Sequence, residues 1–119
     1  MEFSELRGKT LVDVRIVDID QEVHFYTDDG KKYHLYHDQD CCESVVLDDV
    51  CGDLAHLIGE PILMADERTN SNTLPPLGAD ESWMWTFYEI ATIKGAVTLR
   101  WFGQSNGYYS ESVDFREIK

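Results

Sequence analysis

The stretch Glu22-Val-His-Phe-Tyr-Thr-Asp-Asp-Gly-Lys-Lys-Tyr-His-Leu-Tyr36 decides how the chain is read. Val23 and Phe25 recur with a period of two, and so do Tyr33 and Leu35. Side chains alternate across a strand, so each run gathers its apolar residues on one face. Asp28-Asp29-Gly30 lies between the runs, the composition of a tight hairpin turn whose glycine takes a positive φ. The hairpin has one apolar face and a second face carrying His24, Tyr26, His34 and Tyr36.

Upstream, Thr10 to Asp18 (TLVDVRIVD) is rich in strand formers with partial alternation. Phe3 to Arg7 reads as one helical turn, with Ser4 as cap and Gly8 as its end. Downstream, residues 43–50 (ESVVLDDV) read as a short strand. Asp49 or Asp53 then caps a helix through about Leu57, with Leu54, Leu57 and Ile58 on one face. Gly59 stops it and Pro61 prevents its continuation. Ile62 to Ala65 is a short apolar strand, and residues 67–82 (ERTNSNTLPPLGADES) read as an exposed loop. In Ser82 to Thr92, Trp83, Trp85 and Phe87 share one face, with Met84, Tyr88 and Ile90 on the other. Lys94-Gly95 turns the chain into residues 96–102, where Val97, Leu99 and Trp101 oppose Thr98 and Arg100. Ser105-Asn106-Gly107 turns it again into a closing strand from Tyr108 to Phe115. The sum is an α+β fold, a mostly antiparallel sheet of six or seven strands with one short helix, in a single compact domain over residues 1–119.

Hydrophobic residues make up 43% of the 119, enough for a real core. No apolar run approaches the roughly 18 residues that cross a bilayer, and the N-terminus does not read as a signal peptide. Ten Lys and Arg against 23 Asp and Glu leave a net charge of −13. That balance disfavours direct nucleic-acid binding, which needs clustered cations, and docking on an anionic membrane. Three cysteines, Cys41, Cys42 and Cys51, without an export signal point to a reducing cytoplasm.

The charge is unevenly spread. Between Lys32 and Arg68 there is no Lys or Arg, yet nine acids occur: Asp38, Asp40, Glu43, Asp48, Asp49, Asp53, Glu60, Asp66 and Glu67. The local field is strongly negative unless the fold brings in distant cations. A solvated face that aids solubility is the plain reading. The functional one is an acidic surface for a basic partner. The aromatic residues of the last third add a candidate contact surface. The candidate partner-binding set is Asp38, Asp40, Glu43, Asp48, Asp49, Asp53, Glu60, Trp83, Trp101, Tyr108 and Tyr109.

His34, His37, Cys41, Cys42 and Cys51 make a dense cluster, but without zinc-type spacing. Asp38-Gln-Asp40 with Glu43 lacks the glycine of a calcium loop. A Cys–His pair is opposed by acidic surroundings, which raise a thiol pKa. No nucleophile elbow or phosphate-cradling glycine loop is present. No catalytic residue, metal or cofactor is therefore expected. The expected function is non-enzymatic: an acidic inhibitor that binds a basic host protein or nucleoprotein complex by mimicking phosphate charge, as a monomer or weak homo-oligomer. The alternatives are a small-ligand binder of nucleotide type, using the aromatic strands and the histidine-rich hairpin face, and a small metalloprotein built on the His34 to Cys51 cluster.

Three runs carry a resemblance. They are His37-Asp-Gln-Asp-Cys-Cys-Glu-Ser-Val45; Gly52-Asp-Leu with Leu57-Ile-Gly59 and Pro61-Ile-Leu; and Trp85-Thr-Phe-Tyr with the run from Trp101 through Ser-Asn-Gly-Tyr-Tyr-Ser-Glu-Ser-Val113. Together they resemble a small domain family of unknown function found in phage and prophage genomes. The resemblance implies a virus-associated origin and a host-cytoplasmic setting, and it assigns no site residue.

Overall fold

In the computed structural model, which describes residues 2–17, 22–38, 43–70, 82–105 and 111–118, the alternating runs become eight strands. They are β1 (Leu11–Val17), β2 (Glu22–Thr27), β3 (Lys32–Tyr36), β4 (Ser44–Cys51), β5 (Met64–Asn70), β6 (Ser82–Thr92), β7 (Gly95–Ser105) and β8 (Asp114–Ile118). The β2–β3 hairpin follows its sequence pattern: Val23, Phe25, Tyr33 and Leu35 are buried, and Gly30 turns the chain at φ 84°. Thr27 closes the turn. Its hydroxyl donates to the Asp29 carboxylate and accepts the Lys31 amide at 3.2 Å.

The strands form two antiparallel four-stranded sheets, ordered β1-β2-β3-β8 and β4-β7-β6-β5. In the second, three consecutive strands are flanked by β4 returning beside β7, which is Greek-key order. Both sheets bury one face in a common core that includes Leu35 and Phe115 from the first and Tyr88, Leu99 and Trp101 from the second. The first 3-10 turn, η1 (Phe3–Leu6), adds Phe3 and Leu6 to that core. The Phe3 ring meets Tyr88 at 4.7 Å, Phe115 at 5.3 Å and Phe25 at 6.2 Å, all edge-on. One side chain thus joins the two sheets, through contacts each worth about 0.5–1.5 kcal/mol beyond burial.

The fold is all-β, not the α+β arrangement expected, and it has two sheets of four strands in place of one sheet of six or seven. The expected helix is a single 3-10 turn, η2 (Leu54–Leu57). Asp53 does cap it, accepting the Ala55 amide at 2.9 Å. The turn cannot lengthen, because the residues after it are committed elsewhere. Leu57 is buried, Ile58 bridges to Leu11, and the Gly59 amide donates to the Leu11 carbonyl at 2.9 Å. Pairing against β1 thus outweighs the weak preference of four residues for helix.

Three boundaries also differ from expectation. Glu2, not Ser4, caps η1, with its amide donating to Glu5 Oε2 at 2.8 Å. Glu67 to Asn70 belong to β5 because β6 supplies partners for all of them, Tyr88 for Glu67 through Trp85 for Asn70. The closing strand starts at Asp114, where β3 becomes its neighbour. Among the described residues, no helix is long and apolar enough to cross a membrane.

Candidate functional site

The fold disperses the acidic run. Asp48 and Asp49 lie on β4, where a bulge follows Leu47, and Arg100 from β7 meets them. Arg100 Nε is 2.9 Å from Asp48 Oδ2, and its terminal nitrogen is 3.9 Å from Asp49 Oδ2. Asp53 is spent on the cap of η2. Asp38 is exposed after β3, and Glu60 is half-buried near the β1 edge. Asp66 and Glu67 sit on β5, the opposite edge of the second sheet from β4. Asp40, Tyr108 and Tyr109 lie outside the described residues, as do Cys41 and Cys42.

Glu43 is not on the surface. Its side chain is fully buried, and its Oε2 lies 2.9 Å from His37 Nε2. The other ring nitrogen, Nδ1, lies 2.7 Å from the Ser112 carbonyl oxygen. A carbonyl only accepts, so Nδ1 donates there, and the Nε2 contact needs a second proton on either the ring or the carboxyl. Both imidazole nitrogens are therefore used by the protein. Beside this pair, the buried Ser105 hydroxyl donates to Glu111 Oε2 at 3.0 Å. Gly103 makes room for it: a Cβ there would stand 2.6 Å from the Glu111 carbonyl oxygen.

The two candidate tryptophans differ. Trp101 is wholly buried in the core and is withdrawn from any partner. Trp83 is half-buried on the outward face of β6. Trp85, two residues on, packs against Phe102 at 4.6 Å, under the Arg100 guanidinium at 5.0 Å.

The His34 to Cys51 cluster is also taken apart. His37 goes to Glu43, and His34 turns to the outer face of the first sheet. Cys51 ends β4 in the second sheet, where hydrogen bonding and charge from Asp49 push its thiol pKa up.

On that outer face, His24 pairs directly across from His34. Glu22, two residues before His24, reaches both rings: its Oε1 is 3.1 Å from His24 Nε2 and 2.9 Å from His34 Nδ1. Tyr36 stacks on His34 at 4.2 Å, and the Arg116 guanidinium lies 5.9 Å from the Tyr36 ring. The shared face of His24, His34 and Tyr36 is legible from alternation. Glu22 was the residue missed, although its i, i−2 spacing from His24 puts it on the same face.

A cleft of about 290 Å³ lies between η1 and β5, lined by Glu2, Phe3, Ser4, Ala65, Asp66, Glu67 and Thr69. The pKa of Glu67 is raised, first by burial of its carboxyl and then by the charge of Glu2 and, more weakly, Asp114. The Tyr88 hydroxyl partly offsets this by hydrogen bonding to Glu67. Burial and the same acids hold the Tyr88 pKa far above its ordinary value. Among the described residues, no cation forms an ion pair with Glu2, Asp66 or Glu67.

The profile of a domain family of unknown function (DUF7448) matches residues 4–115, and the chain belongs to that family. No curated protein and no solved structure matches it.

Proposed function

We propose that this member of a family of unknown function is a non-enzymatic binding protein that docks a Lys- or Arg-bearing partner surface through the cleft between η1 and β5. The observation that carries the reading is the cleft in which Glu67 is partly buried beside the charge of Glu2, neither of them in an ion pair among the described residues. Like charges held together are relieved by an incoming cation, so an unpaired acidic cleft favours a basic partner. The net charge of −13 adds long-range attraction. The site moves from the expected Asp48, Asp49 and Asp53, because Arg100 and the η2 cap already use those carboxylates.

The non-enzymatic part is supported by the state of two reactive groups among the described residues. His37 has no ring nitrogen left for proton transfer. The raised Cys51 thiol is a poor nucleophile at neutral pH. The partner class is a protein with a phosphate-binding groove, which the carboxylates would occupy in place of phosphate. In keeping with the resemblance to phage-encoded domains, such a partner would belong to a bacterial host, in a nucleic-acid-handling or defence complex whose blockage would serve a virus.

The test is capture from bacterial lysate at low and high salt, with duplex DNA as competitor. The wild-type protein should retain a partner at low salt and lose it at high salt or with DNA. Glu2→Lys with Glu67→Lys should abolish capture, whereas Asp48→Lys with Asp49→Lys should weaken it far less. Retention that ignores salt, DNA and the Glu2/Glu67 reversal would sink the proposal.

A further inference from the structure

We infer that Glu22, His24 and His34 form a binding site for one zinc-class divalent ion on the outer face of the first sheet. The argument is independent of the acidic cleft. Two imidazoles and one carboxylate are the donor set of three-ligand zinc sites that keep a fourth position open. Their donor atoms all lie within 4.8 Å of one another. The oxygen-to-nitrogen separations are 2.9 and 3.1 Å. Tetrahedral bonds of about 2.1 Å set ligands about 3.4 Å apart, so the two oxygen–nitrogen edges need to open by about 0.3–0.5 Å, and the nitrogen–nitrogen edge, within 4.8 Å, has to settle at the same length.

Rigid elements already place the donors. His24 and His34 are register partners on adjacent strands, so their Cα positions are fixed by the β2–β3 ladder. Stacking on Tyr36 sets the plane of the His34 ring. The side chains are 14%, 28% and 19% exposed for His24, Glu22 and His34, shielded yet open on the solvent side. That opening suits a fourth ligand from water or from a partner. Nitrogen donors select zinc, nickel or cobalt over magnesium and calcium, which prefer all-oxygen shells. A hydrogen-bonded trio with no affinity for metal is the competing description.

The experiment is calorimetric titration of the whole chain with Zn²⁺ alone, and absorption spectroscopy with Co²⁺ alone. One Zn²⁺ should bind saturably. His24→Gln and His34→Gln should each weaken it by more than the roughly 10–100-fold lost with an outer-shell partner. Each glutamine keeps a polar group in place, and circular dichroism checks that the strands persist. His56→Gln, exposed and away from the cluster, and Cys51→Ser should bind as the wild type does. The Co²⁺ spectrum should lack a thiolate charge-transfer band. No saturable uptake, uptake unchanged in both histidine variants, or a thiolate band would overturn the inference.

Discussion

Histidine meets glutamate twice in this molecule, with opposite results. At the end of the sandwich, His37 and Glu43 have side chains 4% and 0% exposed, and both ring nitrogens are spent on protein partners. On the outer face of the first sheet, His24 and His34 share one oxygen of Glu22 while remaining partly open to solvent. The first arrangement fastens the β3–β4 connection to the segment before β8. The second leaves its donor atoms within reach of solvent. Residue type therefore does not separate a structural peg from a ligand set here. Access to solvent does.

The contrast is broken most directly by truncation. His37→Ala or Glu43→Ala removes one partner of a buried pair and should cost about 3–5 kcal/mol in urea unfolding. Glu22→Ala should cost less, about 1 kcal/mol, because its pairs are only partly buried and stay open to solvent on one side. Equal losses would erase the distinction. Next in size, Gly103→Ala drives a methyl against the Glu111 backbone and should cost about 1–3 kcal/mol, which measures how rigid the buried end is. Arg100→Ala frees Asp48 and Asp49 on the surface and should cost about 1 kcal/mol or less, with the difference shrinking in high salt.

The smallest effect is at Glu67. Its folded pKa lies above the ordinary 4.5, so the folded state holds that proton more tightly than the unfolded chain does. Its contribution favours folding below the ordinary value and is lost as pH rises through the raised one. Glu67→Gln should therefore be more stable than wild type at pH 7 by a few tenths of a kcal/mol, discounted for its exposure. Melting curves from pH 7 to pH 4 should show the gap closing as wild-type Glu67 takes up its proton.

Local pattern explains what could be read from the chain. The faces of residues 22–36 and of Ser82 to Thr92 follow from period-two alternation within single strands, and the structure keeps them. Alternation does not say which sheet a strand joins, so the two changes of sheet, before β4 and before β8, were invisible. Long-range contacts decided the rest. Arg100 reaches Asp48 across 52 residues and comes near Asp49, which gives a cation to two acids of a stretch that looked bare. His37 reaches Ser112 across 75, which helps carry Glu43 inward. Nothing in Glu-Ser-Val-Val marks that glutamate for burial, whereas Glu22 was within reach of the same alternation that revealed its histidines.

The junction at Phe3 has a consequence for biosynthesis. The ribosome makes Phe3 before any of the strands it joins, yet two of the rings that receive it, Tyr88 and Phe115, belong to β6 and β8. The segment around Phe3 must therefore wait, with only Phe25 of its three ring partners made early, until β6 and β8 have left the exit tunnel. The early hairpins can form before that, but the latch between the two layers closes only once β8 has emerged.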